Sequence, residues 1–320
     1  MASTGTSLPW LVTGAAGFLG SHVVEQLLER QIPVIGLDNL SGGNWQHLAP
    51  FATHPLFKFA CKDIRDEASL VTHFRQERPS VVIHLAALHF IPDAMRDPAL
   101  AVSLNVHGTQ ALLSASRDTG VQRFWFASTA DIYKASYKAH HEASPSGPFN
   151  IYGLTKLMGE QLVQLEASIR PECHFVIGRL FNLYGPRETN PHILPEIINQ
   201  IRCGKSDVLR LGNVTPKRDL VPVADAARAV IETTLNSHPG VTTVNIGTGI
   251  SVSIQDVVER ISDIVGRPIR IEVDPAKVRA TERAYLQADT GRLRSLIGWV
   301  PHGDLCRGLR ELLLHEGFPW

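Results

Sequence analysis

The sequence predicts an α/β fold: a doubly wound, mostly parallel sheet joined to a smaller C-terminal lobe. Three observations carry this reading. Short apolar runs alternate with segments of helical period through the first half of the chain. The runs are nearly continuous in apolar residues, as expected of strands covered on both faces. The first run ends in a glycine-rich turn that opens straight into a helix, "VTGAAGFLGSH".

The elements follow in order. "SLPWLVTG" is the first strand, and "SHVVEQLLER" places Val23, Val24, Leu27 and Leu28 on one helix face. "IPVIGLD", "LFKFACKD", "SVVIHLAA", "VQRFWFAST" and "CHFVIGRLFN" are the next five strands, with helices at "ALAVSLNVHGTQALLSASRDTG" and "YGLTKLMGEQLVQLEASIR". After about Gly185 the rhythm changes. "GPRETNPHILPEIINQIRCGKSD" carries prolines and a helix without a preceding strand. "DLVPVADAARAVIETTL" and "TTVNIGTG" read as a return to the main sheet, and "SVSIQDVVERISDIVG" begins a run of helices and short strands. Core and lobe are therefore interleaved along the chain.

Composition narrows the function classes. The 320 residues are 44% apolar and 19% charged, enough for a large core. Lys+Arg 31 balances Asp+Glu 31, so no net field invites nucleic acid or an anionic membrane. The N-terminus lacks a signal-peptide pattern and no apolar run spans a bilayer, so a cytoplasmic protein is expected. Cys61, Cys173, Cys203 and Cys306 are scattered without CxxC spacing and read as free thiols. The pair His140–His141 has no partner at metal-ligand spacing, so no metal is expected.

Gly14, Gly17 and Gly20 stand at GxxGxxG spacing between a strand and a helix. Glycines there allow the tight turn and let backbone N–H groups approach a pyrophosphate at the helix N-terminus. Asp38 ends the second strand, 18 residues beyond Gly20, where a carboxylate accepts from adenosine ribose hydroxyls. No Arg or Lys follows in "DNLSGG" to meet a 2′-phosphate, which favours NAD over NADP. Downstream, "NIYGLTKLMGE" sets Tyr152 and Lys156 one helical turn apart. A lysine and a nicotinamide cation beside a phenol would lower its pKa and make it a base near neutral pH. Thr129, closing the fifth strand, is placed to orient a substrate hydroxyl.

With these motifs in view, the chain resembles the extended short-chain dehydrogenase/reductases, in their NAD-dependent nucleotide-sugar epimerase/dehydratase group and akin to UDP-glucose 4-epimerase. The carriers run from Leu8 to Pro301: "TGAAGFLG", "LDNLSGG", "HLAA", "NVHGT", "STADIY", "YGLTK", "RLFNLYGPR", "KRDLVPVADAARA", "NIGTG" and "ADTGRLRSLIGWVP". The resemblance implies a Rossmann-type NAD domain over residues 1–182, with 217–250 returning to it. It implies a nucleotide-sugar lobe over 183–216 and 251–320. Tyr152 would be the acid/base at sugar O4, Lys156 its partner and Thr129 the hydroxyl donor. Phe18, Leu19, Asn39, Asp63, Ile64, Leu85, Ala86, Ala87 and Asn105 would join the glycines and Asp38 around NAD. Asn182, Arg218 and Arg279 would hold the sugar-nucleotide diphosphate, with a UDP-sugar favoured, and Glu282 would stand near the nucleoside ribose. His89 would face the sugar as a proton carrier or as packing. The helices around Ala99–Thr119 and Tyr152–Arg170 imply a homodimer.

The reaction turns on "STADIY". An elimination needs two carboxylates with split roles. Relatives that dehydrate glucose-type sugars resemble "STDEVY", whereas this chain has Ala130 first and Asp131 second. Ala130 argues for a 4-epimerase working through a transient 4-keto sugar. Asp131 keeps a dehydratase or decarboxylase open, as does a turn-capping role for that residue. A silent NAD-binding scaffold is opposed by the intact Thr129, Tyr152 and Lys156 set.

Overall fold

The computed structural model describes residues 8–203, 207–278, 283–301 and 304–318. Its main sheet is built from β1 (Trp10–Thr13), β2 (Val34–Asp38), β3 (Phe57–Cys61), β4 (Val81–His84), β5 (Arg123–Thr129), β6 (His174–Leu180) and β10 (Gly240–Ile246). The spatial order is β10-β6-β5-β4-β1-β2-β3, and every neighbouring pair is parallel. The order reverses between β1 and β4. In such sheets the crevice beyond the strand carboxyl ends at the reversal is where a ligand can enter.

Alternation along the strands explains why both faces are covered. Trp10 and Val12 of β1 enter one core with Val23, Val24, Leu27 and Leu28 of α1 (Phe18–Glu29). Ala226, Ala229 and Val230 of α8 (Val223–Asn236) share that core. Leu11 points the other way. It joins Phe74 of α2 (Glu67–Glu77), Leu112 of α5 (Gly108–Thr119) and Val163 of α6 (Ile151–Ile169). The two-residue period of a strand is thus read by helices on both sides. Before α5 lie α3 (Ile91–Arg96), α4 (Pro98–Val102) and a π-helical turn, Ser103–His107. Among the described residues no helix is long and apolar enough to cross a membrane.

The lobe has its own core. Tyr184, Leu194, Ile197, Leu209, Ile254, Val257, Leu309 and Leu312 cluster apart from the main sheet. They come from β7 (Asn182–Tyr184), α7 (Ile193–Cys203), β8 (Val208–Leu211), α9 (Ile254–Val265) and α11 (Leu305–His315). The amphipathic α9 starts with a capping box in which Ser253 and Asp256 satisfy each other's backbone N–H. A small sheet centres on β9 (Lys217–Pro222), which pairs with β7, with β11 (Ser251–Ser253) and with β13 (Tyr285–Leu286), while β8 pairs with β12 (Arg270–Val273).

Two boundaries differ from the sequence expectation. β9 belongs to the small sheet, so the chain rejoins the core at α8 and not at residue 217. The tail also returns: Ala288, Leu293 of α10 (Gly291–Ile297) and Trp299 pack into the α1–α8 core. Asp219 knots these crossings together. Its buried carboxylate accepts from Thr248 N (2.8 Å), Thr248 Oγ1 (2.6 Å), Gly249 N (2.9 Å) and Ala288 N (3.1 Å).

Candidate active site

A cavity of about 850 Å³ runs from the β1–α1 turn across the ends of β4 and β5 to the lobe. Its first wall is the glycine loop. Gly14 has φ +68°, and a Cβ there would lie 2.8 Å from Ala86 N. A Cβ on Gly20 would lie 2.0 Å from the Gly14 carbonyl oxygen. The loop can therefore take this shape only with glycine at both positions. No side chain caps α1 at Gly17, so donors of its first turn stay available where Gly17, Phe18, Leu19 and Gly20 line the cavity.

Asp38 lies further along this wall, buried, accepting from Ala16 N (3.0 Å) and Leu40 N (2.7 Å). Burial pushes its pKa up, and the two backbone bonds oppose that. Asn39, Ile64, Leu85, Ala86 and Ala87 also line the cavity. Lys62 does too, but its ammonium is committed to Ser69 Oγ at 2.7 Å. A ribose-facing carboxylate without an uncommitted cation beside it fits NAD, and the glycine cradle fits its pyrophosphate. Asp63 is not part of this lining. Its carboxylate is taken by Asn39 Nδ2 (3.0 Å) and by Arg65, which holds its pKa down at about 2.

Asn105 also stands behind the wall instead of in it. The π-helical turn carries its side chain to Leu88, accepting from Leu88 N (2.8 Å) and donating to Leu88 O (3.1 Å), and on to Thr155 Oγ1 of α6 (3.0 Å). A second buried chain reaches the same turn. Thr13 Oγ1 accepts from Leu85 N and Ala86 N, both at 3.2 Å, so its proton goes to His84 Nδ1 (2.8 Å). His84 Nε2 then donates to Thr109 Oγ1 (3.0 Å), which donates to Asn105 O (2.7 Å). This assigns the tautomer from the network, and burial, which pushes the His84 pKa well down, keeps the ring neutral.

The chemical groups meet at the middle of the cavity. Asn150 caps α6 by accepting from Gly153 N at 2.7 Å, which starts the helix one residue before Tyr152. The Tyr152 hydroxyl lies beside Thr129, whose own position is fixed by a bond from Asp131 N (3.2 Å). Lys156 is 2% exposed, and its ammonium sits 5.0 Å over the Phe126 ring. Among the described residues no carboxylate pairs with it, and burial lowers its pKa to about 7. Tyr152 is pushed up, by burial first and by the Asp131 charge second, with the Thr129 hydroxyl opposing. The protein alone thus does not acidify the phenol. The acidification expected from the spacing needs a further positive charge in the cavity.

At the far end, Asn182 and Arg218 line the cavity, and His89 accepts from Asn190 Nδ2 at 2.8 Å beside Phe90 and His192. That bond makes His89 part of the wall. The expected sites Arg279 and Glu282 lie outside the described residues. Sequence reasoning missed Arg283. It donates through Nη2 to Asp131 O (2.9 Å), holds Nε 3.6 Å from Asp131 Oδ1, and stacks 4.7 Å over Phe149. Its signal was faint: a cation just before the short strand β13, with no periodicity to mark it as buried. Asn150, the cap of α6, was missed as well.

The sheet order, the glycine cradle and the Tyr–Lys pair together define a dinucleotide-dependent enzyme. Residues 10–247 match the NAD dependent epimerase/dehydratase family, and the chain belongs to that family. A relative described as a putative UDP-glucose 4-epimerase, from Methanocaldococcus jannaschii, is 32% identical over 95% of this chain and 96% of its own. Among solved structures, UDP-glucose 4-epimerase of Thermotoga maritima with UDP-glucose aligns with TM-score 0.87 and 28% identity, covering 96% of this chain and 98% of that one. A dTDP-glucose 4,6-dehydratase of Streptomyces venezuelae, with NAD bound, aligns with TM-score 0.86 and 27% identity over 96% of each chain.

Proposed function

We propose that the protein is an NAD-dependent nucleotide-diphosphate-sugar 4-epimerase, acting on a UDP-sugar through a transient 4-keto sugar. The observation that carries this is the meeting of Thr129, Tyr152 and Lys156 midway between the glycine cradle and the Asn182–Arg218 end of one cavity. NAD⁺, when bound, supplies a reversible hydride acceptor and a positive charge. Gly14, Gly17, Phe18, Leu19 and Gly20 would hold its pyrophosphate, Asp38 the adenosine ribose, and Ile64, Leu85, Ala86 and Ala87 its flanks.

The remaining work falls to this chain's own groups. Thr129 orients the sugar O4–H toward Tyr152. Tyr152 takes that proton and returns it to O4 once the keto sugar has turned its other face toward the cofactor. Lys156 keeps the phenolate charge-balanced, and Asn105 fixes the helix that carries both. Arg218 and Asn182 hold the diphosphate through charge-assisted bonds.

The choice of epimerisation over elimination rests on two positions. Ala130 supplies no acid for a leaving hydroxyl, and the Asp131 carbonyl accepts from Arg283 while its carboxylate stands 3.6 Å from the same guanidinium as an ionic neighbour. The exposed apolar stripe Leu154, Met158, Leu165 and Ile169 on α6 supports a homodimer, while the exposed positions of α5 are polar. The free cysteines suit the cytoplasm.

The test is incubation with a panel of nucleotide sugars, read by mass spectrometry and chromatography. Isomerisation at constant mass is expected. Loss of water or of carbon dioxide would replace the reaction. Tyr152→Phe is expected to cut turnover by about 10²–10⁴-fold with NAD retained, and full activity in that variant would remove Tyr152 from its role.

A further inference from the structure

Beyond Thr129 the cavity opens into a second chamber of about 390 Å³, lined among others by Asp131, Phe149, Asn150, Asn182, Arg218 and Arg283. Two of these side chains are more than nine-tenths buried: Arg283 is 6% exposed and Asn150 is 8% exposed. Among the described residues, Arg283 Nε, Arg283 Nη1 and Asn150 Nδ2 are buried and have no hydrogen-bond partner. All three are donors. A guanidinium cannot escape this by losing its proton, and buried donors left unpaired are costly.

We propose that this chamber receives a carboxylate carried by the substrate's sugar ring, so that the preferred substrate is a nucleotide-linked uronic acid. The proposal rests on the epimerase reading above and names the substrate class of that same site. Three arguments support it. A carboxylate is acceptor-only, with about four lone-pair sites for the waiting N–H groups, whereas a hydroxymethyl group brings a competing donor. Among the described residues, Arg283 brings a permanent guanidinium charge to the chamber wall beside those donors. Thr129, Asp131, Asn182 and Arg218 border both chambers, so the second opens within reach of the ring whose hydroxyl meets Thr129.

The local geometry is compatible with this occupant. At 3.6 Å the Asp131 carboxylate is an ionic neighbour of Arg283 Nε and not its hydrogen-bond acceptor. Nη2 is held by the Asp131 carbonyl, which fixes the guanidinium plane and leaves the other N–H groups for a ligand. Phe149 stacks under the guanidinium, with Ile91 and Pro92 also in the wall.

Calorimetric titration of the NAD-loaded full chain with UDP-glucuronate, UDP-glucose and UDP tests this. The uronate is expected to bind about tenfold to a hundredfold more tightly than the neutral sugar. R283Q is expected to erase that preference while UDP affinity stays within about twofold, which also reports that the variant is folded. R283K is expected to recover part of it, and D131N to tighten uronate binding by removing the competing carboxylate. Equal affinities of the two sugars for the unmodified protein would overturn the proposal. So would an R283Q that weakens UDP and both sugars alike, because that places Arg283 on the diphosphate. Product analysis separates this from the function itself: epimerisation of UDP-glucose without a uronate preference sinks only the chamber assignment. Release of carbon dioxide from a tightly bound uronate sinks only the epimerase.

Discussion

Replacing Lys156 by Met isolates the most strained charge in the site. Burial moves the Lys156 pKa from 10.5 to about 7, with no described carboxylate to offset it. The unfolded chain therefore binds more protons than the folded one between those two values, and stability rises with pH across that window. Below about pH 7 both states carry the proton and the penalty is constant, roughly 3.5 pK units at about 1.36 kcal/mol each, or close to 5 kcal/mol. Between pH 6 and pH 9 the folded protein recovers roughly half of this, on the order of 2–3 kcal/mol. K156M has no such group. Its stability advantage over the unmodified protein is expected to shrink by roughly 2–3 kcal/mol from pH 6 to pH 9. Urea unfolding of both proteins, freed of nucleotide, at one-unit pH steps measures this. Parallel stability curves would refute the reasoning and mean that Lys156 keeps its proton in the fold, held by water or by rearrangement.

Two further outcomes follow from the geometry. Gly20→Ala places a methyl 2.0 Å from the Gly14 carbonyl oxygen, so the purified variant is expected to carry much less NAD per chain. Nucleotide content after denaturation reads this, and full occupancy would contradict the cradle. Leu165→Glu puts a charge at the centre of the α6 stripe, where the native residue is 59% exposed. Sedimentation velocity at micromolar concentration is expected to show a dimer for the native chain and a monomer for the variant; the same mass for both would rule the stripe out as the contact.

Much of this was legible in the sequence, for local reasons. The run "SVVIHLAA" could only be a strand buried on both faces, and "VTGAAGFLGSH" needed its glycines for one turn. Tyr152 and Lys156 are tied by helical period, which a sequence displays directly. What escaped depends on contacts distant along the chain. The resemblance names Asn105 as a support of the active-site helix, but not the π-helical turn that aims it at Thr155, fifty positions away. Arg283 gains its meaning from Asp131, 152 positions earlier. The apolar pair Leu220–Val221 of β9 runs straight into α8, and only the pairing of β9 with β7, β11 and β13 assigns it to the lobe. The apolar residues of α5 were legible, but not that they face inward and leave α6 alone with an exposed stripe.

The knot at Asp219 has a consequence for how the protein is made. The lobe core draws on residues 184–220 and again on 254–313, with α8 and β10 of the main sheet threaded between. As the chain leaves the ribosome, the glycine loop, β4, β5 and the Tyr152 helix are complete while the lobe's first half still has nothing to close against. Its apolar side chains wait for α9 and α11, and the Asp219 carboxylate waits for Ala288. The nucleotide cradle can therefore form early, whereas the wall that confines the sugar is among the last parts to be sealed. No single cut yields the lobe as a separate folding unit, so truncation near the C-terminus unmakes a region that began a hundred residues before it.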